Sequence, residues 1–163
     1  MRDIATGGRF CSQCHGLDHT RLKELLGTPS DWGTQNIAEN AEIWRYGDLE
    51  FHFSDWTVFQ IFSDHNELTD GGDALSIDPW VIRRGLGRDE FEATLTDAGI
   101  PFETTTPDYG SSQRLVRTKS GAVFTFCEGS NHDESGLVAW SIRTGAEQVA
   151  ADQCTARTLS PKK

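Results

Sequence analysis

The residues with the clearest chemical potential lie close together near the N-terminus, in the run Cys11-Ser-Gln-Cys14-His15. This C-x-x-C-H spacing is that of covalent haem attachment, in which two thiols bond the haem and the histidine ligates its iron. The only methionine is Met1, so the usual axial methionine is missing, and no export signal is recognisable. We therefore expect no haem at this motif.

A zinc site would use the same motif differently. Cys11 and Cys14 would supply two thiolates, and His15 or His19 a third ligand, with Cys127 or Cys154 as the fourth. A second C-x-x-C pair, which would make the motif specific, is missing. Two hypotheses stay open: free thiols in an N-terminal arm, which we favour, and a zinc or redox site. We accordingly expect no cofactor, with zinc as the alternative, and no disulfides in a reducing compartment.

Glu50 and His52 form a second group of chemically capable side chains, because they share one face of an alternating stretch, residues 49–53. Such a pair could exchange a proton with a substrate. The sequence has no nucleophile motif, phosphate-binding loop or H-E-x-x-H run that would complete an active site. We predict that the protein is not an enzyme, and a small enzyme with a cleft between two structural units is the alternative.

Large aromatic residues accompany this pair. Tryptophan and tyrosine dominate the energetics of protein interfaces, although they are also ordinary core residues. Mixed with carboxylates on one face of a sheet, they would form an aromatic and acidic binding surface. The predicted partner-binding residues are Trp44, Tyr46, Asp48, Glu50, His52, Trp56 and Gln60.

Net charge narrows the class of partner. The chain carries −10, and residues 24–78 hold twelve acidic side chains against one basic side chain, Arg45, a net charge of −11. This field attracts a basic protein and repels nucleic acid and anionic membranes. An acidic surface that only aids solubility is the alternative. No apolar stretch approaches the ~20 residues that span a bilayer, and we expect a cytoplasmic protein without a secretory signal.

The elements that must position these residues recur in the same order twice. Each half has a helix, a Gly-x-Pro break, a loop and three strands, with Gly27-Thr-Pro29 matching Gly99-Ile-Pro101. The predicted helices cover residues 20–26 and 88–98, and the predicted strands cover residues 43–46, 49–53, 57–62, 113–118, 122–127 and 137–142. The pattern predicts an α+β fold of two tandem units, each a helix plus a three-stranded antiparallel meander, with the helices on one face of the sheet.

These elements divide the chain into five predicted segments. They are a flexible or metal-tied N-terminal arm (residues 1–19), a first helix-sheet unit (20–63), a connector (64–87), a second helix-sheet unit (88–143), and a short helix with a tail (144–163). The first unit is strongly acidic and the second is nearly neutral, so we expect the two to differ in role.

This order of elements, with its two helix-Gly-x-Pro breaks, resembles the beta-lactamase inhibitory protein family over roughly residues 20–142. Those proteins have two tandem helix-plus-sheet repeats and grip a partner enzyme with a concave sheet face. They carry disulfides within their repeats, and the cysteines here are placed differently. The run from Ile43 to Phe53 also resembles small bacterial proteins that look like immunity proteins of toxin systems. The resemblance implies a protein-binding module, an inhibitor or immunity protein, that binds a basic partner.

Overall fold

The computed structural model of the chain describes residues 2, 5, 14–33, 37–64, 70–107, 112–129 and 135–143. Every structural statement below refers to these residues. Cys11, most of the predicted N-terminal arm, and the predicted helix and tail at 144–163 lie outside them.

Two α-helices, one short 3-10 helix and eight strands are defined within the described residues. The helices are α1 (His19–Leu26) and α2 (Arg88–Asp97), and the 3-10 helix covers Ala38–Asn40. The strands are β1 (Asp31–Gly33), β2 (Ile43–Tyr46), β3 (Leu49–Ser54), β4 (Thr57–Ser63), β5 (Phe102–Thr105), β6 (Gln113–Thr118), β7 (Val123–Cys127) and β8 (Gly136–Arg143). No helix among the described residues is both long enough and apolar enough to cross a bilayer.

All eight strands belong to one antiparallel sheet in the order β1-β2-β3-β4-β8-β7-β6-β5. The predicted fold of two tandem units, each with a three-stranded meander, is therefore wrong. Strands β4 and β8 pair at the centre of the sheet, with Ile61 opposite Ile142. This pairing satisfies backbone N–H and C=O groups that each strand would otherwise leave without hydrogen bonds at a sheet edge. Strands β1 and β5, which the sequence did not predict, extend the sheet at its two edges.

The core lies on one face of this sheet. Trp44, Phe51, Ile61 and Ile142 stand directly opposite one another across β2, β3, β4 and β8, and each is at most 2% exposed. Cross-strand apolar neighbours of this kind stabilise a sheet and fix its register, since a one-residue slip would turn every side chain to the other face.

Both helices cover this same face, which we call the helix face. His19 of α1 packs on Phe53 of β3 with ring centroids 3.6 Å apart. Phe91 of α2 packs on Phe124 of β7 with centroids 4.6 Å apart. Strand alternation and pairing put Phe53 and Phe124 on the face of the buried ladder. The opposite face, which carries Glu50 and its cross-strand neighbours, is called the outer face.

Helix α1 begins at His19, one residue before the predicted start at residue 20. Asp18 is the N-cap, because its carboxylate accepts a hydrogen bond of 2.8 Å from the Arg21 amide. The helix ends at Gly27, whose φ of 82° is favourable only for glycine. The early start makes His19 the first helical residue, and it directs that side chain into the core.

Candidate functional site

Two of the predicted partner-binding residues lie in the core. Trp44 and Tyr46 are 1% and 2% exposed, because both point to the helix face. The Trp44 indole donates to the Ala38 carbonyl at 2.7 Å, and the Tyr46 hydroxyl donates to the Gly27 carbonyl at 2.8 Å. Burial raises the pKa of the Tyr46 phenol to about 12. These two side chains stabilise the fold and are out of reach of a partner.

Glu50 and His52 lie on the outer face, where the chain already pairs their polar atoms. The Glu50 carboxylate accepts hydrogen bonds from Arg45 at 2.6 and 2.9 Å, and its second oxygen accepts one from His52 Nε2 at 3.0 Å. The hydrogen bond to Glu50 raises the pKa of Arg45. The side chain of Glu50 is 12% exposed and that of His52 is 23% exposed. Little of this pair remains for an external partner.

Asp48 and Gln60 are held by similar internal contacts. The Asp48 carboxylate accepts a hydrogen bond of 2.9 Å from the Asp70 amide. Gln60 is 9% exposed, and its side-chain oxygen accepts a hydrogen bond of 2.9 Å from Arg143 Nε. The predicted set therefore does not form one continuous exposed surface.

Trp56 is the member of the predicted set that is open to solvent, with 65% of its surface exposed. It occupies the tip of the β3–β4 hairpin, where Asp55 and Trp56 link the paired residues Ser54 and Thr57. Both tip residues are left-handed, with φ of 48° and 65°. Such two-residue turns are normally Asn-Gly or Asp-Gly, and a tryptophan there costs ~1 kcal/mol. Strain of this kind is concentrated at functional sites.

A groove of about 550 Å³ lies beside this tryptophan. Four stretches of chain build it: the first residue of α1, the link between the 3-10 helix and β2, the start of β2, and the β3–β4 hairpin. Its wall is polar and apolar in equal measure, and two exposed carboxylates stand among its lining residues. The residues that matter most below are His19, Glu42, Ile43, Asp55, Trp56 and Phe59.

Two local features shape the groove wall. The pairing of β3 with β4 shifts register between His52 and Phe53, so Phe59 opposes no residue of β3 and turns toward the groove. The Phe53 amide donates to the Glu42 carbonyl at 2.8 Å, which ties the link before β2 to β3. The bulge and this backbone hydrogen bond place the partly buried Phe59 ring and the Glu42 carboxylate in the same groove.

His19 contacts three other residues that line the groove. Its Nε2 donates to the Ala41 carbonyl at 2.8 Å. Its ring stacks on Phe53, and its centroid lies 6.2 Å from that of Trp56 in an edge-to-face arrangement. The residue is 9% exposed, so it acts as a structural support beneath Trp56.

The groove presents the chemistry of cation binding. Its exposed indole, half-buried Phe59 and carboxylates of Glu42 and Asp55 attract a positive group through the aromatic faces and through charge. Among the described residues no three histidines, cysteines or carboxylates stand close enough to hold a metal ion.

The Cys-x-x-Cys-His motif is partly described and lies near this site. Cys14 is fully buried and disulfide-bonded, so the expectation of free thiols does not hold for it. A disulfide sulfur is not a thiolate, and it does not ligate zinc. Burial lowers the pKa of His15, and both of its ring nitrogens lack a hydrogen-bond partner among the described residues. In this oxidation state the described part of the motif does not fit a zinc site.

Sequence reasoning missed most of the groove. His19, Glu42, Asp55 and Phe59 come from separate elements, and no local pattern joins them. One signal was available in the Asp55-Trp56 pair between two strands, since the type I′ turn, a common two-residue hairpin turn, requires positive φ at both positions. That requirement predicts an exposed, strained tryptophan.

Comparison with protein-family models, with curated proteins and with solved structures found no match. The resemblance to the beta-lactamase inhibitory protein family therefore stays a prediction.

Proposed function

We propose that this chain is a protein-binding module that receives a basic side chain of a partner protein in the groove beside Trp56. One observation carries the proposal. A tryptophan that is 65% exposed stands on a left-handed turn beside a groove lined by Glu42 and Asp55. The fold tolerates a strained and exposed indole at a position where glycine would be the favourable residue.

The lining suits an arginine or lysine of the partner. A cation over an indole gains about 0.5–1 kcal/mol at an exposed site and about 2 kcal/mol when desolvated. Nearby carboxylates add a charge-assisted contact, which arginine can make with two parallel hydrogen bonds. Tryptophan and arginine are also the residues most enriched at interface hot spots.

The charge of the surrounding segment supports a basic partner. Residues 24–78 carry −11 and include the whole groove apart from His19. This field would speed the encounter with a basic protein and would weaken as salt is added. An inhibitor or immunity protein would use the groove in this way, and that role is part of the proposal.

The proposed surface differs from the one that the sequence suggested. Trp56 and His52 line the groove, whereas Trp44 and Tyr46 are core residues. The proposed contact surface is therefore the groove at the tip of the β3–β4 hairpin and not the outer face of the sheet. This surface is also acidic, because Glu42 and Asp55 line the groove.

Calorimetric titration with short peptides tests the proposal. A peptide of mixed arginine and lysine should bind the native chain, and an acidic peptide of equal length should not. Trp56→Ala should reduce the affinity for the basic peptide at least about tenfold. Trp32→Ala is the matched control, because Trp32 is also exposed, at 38%, and does not line the groove. Equal affinity of both variants and the native chain would overturn the proposal.

A further inference from the structure

We propose that the outer face of the sheet is the interface of a homodimer, in which a second copy of this chain packs on the same face. The inference does not depend on the groove and goes beyond the proposed function. It rests on one row of directly opposed residues that crosses all eight strands on the outer face. This row is uncharged at its centre and charged at both ends.

The centre of the row consists of uncharged side chains that are partly exposed. Phe62 of β4 lies opposite Ser141 of β8, and Ser141 lies opposite Val123 of β7. In the neighbouring row, Leu115 of β6 and Ala139 of β8 stand on either side of β7. The solvent side of an antiparallel sheet is normally polar. An apolar centre on that side is typical of a surface that binds another protein.

The ends of the row carry charges that pair within the chain. The Arg45 guanidinium lies 3.7 Å from the Asp31 carboxylate and 2.6 Å from the Glu50 carboxylate. At the opposite end, Arg117 lies 3.8 Å from the Glu103 carboxylate. An uncharged centre with a polar rim is the usual arrangement of a protein interface.

The charge balance of the outer face favours a second copy as the partner. Among the described strand residues, six charged side chains point to this face, three acidic and three basic, and their charges sum to zero. They are Asp31, Glu50, Glu103, Arg45, Arg117 and Arg143. The net charge of −10 therefore arises elsewhere in the chain. Two such acidic chains repel each other through their acidic surfaces, and they can meet at the neutral outer face without that repulsion. A basic partner would be drawn to the acidic surfaces instead.

The position of the apolar centre suits two-fold symmetry. Strands β4 and β8 are the fourth and fifth of the eight strands. A two-fold axis that runs parallel to the strands between β4 and β8 would place Phe62 of each copy over Ser141 of the other. It would also place the charged ends of one row over those of the other. The result is a sandwich of two sheets about 10 Å apart, with the helices on its two outer sides.

The size of the face sets the strength of the dimer. Eight strands that are about 4.8 Å apart and about five residues long present roughly 600 Å² per copy. Two such faces come to the low end of the area that stable protein interfaces bury. We therefore expect a reversible dimer with a dissociation constant in about the micromolar range.

Sedimentation equilibrium of the native chain between about 1 and 200 μM tests the dimer. Ser141→Glu should raise the dissociation constant at least about tenfold, because it places an unpaired charge at the centre of the interface. Ala93→Glu is the matched control. It adds the same charge on the exposed side of α2, and the helices cover the opposite face of the sheet, so this variant should dimerise like the native chain.

A nitrogen-15 correlation spectrum of the native chain at rising concentration locates the contact without any substitution, which covers the case that Ser141→Glu does not fold. The amides of Phe62, Ser141 and Val123 should shift as the dimer forms, and the Ala93 amide should not. A chain that stays monomeric over the whole range would contradict the inference, and so would a dimer whose shifts lie on α2 or on the edge strands. Ser141→Glu should still bind the mixed arginine and lysine peptide, because Ser141 does not line the groove. Failure of the dimer and failure of the proposed function are therefore distinguishable.

Discussion

The imidazole ring of His19 lies nearly parallel to the ring of Phe53, with centroids 3.6 Å apart and planes inclined by 12°. This contact joins the first turn of α1 to the last part of β3. The ring centroid of Trp56 lies 6.2 Å from that of His19, in an edge-to-face arrangement. His19 is therefore a polar residue that contacts both the core, at Phe53, and the exposed tip of the β3–β4 hairpin, at Trp56.

Replacement of His19 should weaken both the fold and the groove. His19→Ala removes the ring stack and leaves the Ala41 carbonyl without its hydrogen bond, so the free energy of unfolding should fall by about 2–3 kcal/mol. His19→Phe keeps a ring at the site and should recover part of the loss. Urea unfolding measures both changes. Thr20→Ala, next to His19 but exposed, should stay within about 0.5 kcal/mol of the native chain.

Trp56→Gly should make the protein more stable and less able to bind. Glycine accepts the φ of 65° without strain, so the free energy of unfolding should rise by about 1 kcal/mol. Trp56→Ala keeps a Cβ and should give no such gain. Both variants should lose the basic peptide. A lower free energy of unfolding for Trp56→Gly would contradict this prediction, because it would mean that the contacts of the indole stabilise the fold by more than the strained turn destabilises it.

The carboxylates of Glu42 and Asp55 should strengthen binding of the basic peptide through their negative charge. Asp55→Asn is suited to test this, because asparagine keeps the tolerance for the left-handed turn and removes only the charge. Asp55→Asn and Glu42→Gln should each weaken binding of the basic peptide about 3- to 10-fold at low salt, and less at high salt. Glu24→Gln, an exposed change outside the groove lining, is the control. Equal losses in all three variants would point to net charge and not to a site.

The phenol of Tyr46 should leave a signature at alkaline pH. Its pKa is raised to about 12 in the folded chain, against about 10 when unfolded. The unfolded chain therefore releases this proton first, and the stability contributed by the neutral phenol is present below pH 10 and lost as pH rises toward 12. An ultraviolet titration of the native chain should contain a late phenolate component that is missing in Tyr46→Phe. The two chains should also differ in the slope of stability over this range.

The sequence predicted local elements better than it predicted their assembly. Strand β2 was predicted with the bounds Ile43–Tyr46 that the structure has, and α2 was predicted at Arg88, where it begins. Both have local signals, namely β-branched and aromatic residues in Ile43–Tyr46 and acidic residues in the first turn of α2. Strands β1 and β5 have three and four residues, mostly exposed, so no apolar pattern marked them.

The joining of the halves depends on a contact distant in sequence. Gln60 of β4 lies opposite Arg143 of β8, and that pairing joins the strands of the two halves into one continuous sheet. No local pattern contains it. The inclusion of the buried Trp44 and Tyr46 among the predicted partner-binding residues has a related cause. Alternation fixed which residues of β2 share a face, but not which face the helices would cover. The larger aromatics Trp44 and Tyr46 turned inward, because their burial removes the most apolar surface from water.

The most direct test of the account is a nitrogen-15 correlation spectrum of the oxidised chain, titrated with the mixed arginine and lysine peptide. The chain has five tryptophans, and each indole N–H gives its own signal, assigned by single replacements with phenylalanine. The account predicts saturable shifts of the Trp56 indole and of the Glu42 and Asp55 amides, with one common affinity. The Trp32 indole should stay in place. A stationary Trp56 signal, while residues elsewhere shift or none do, would contradict the proposal that this groove is the binding site.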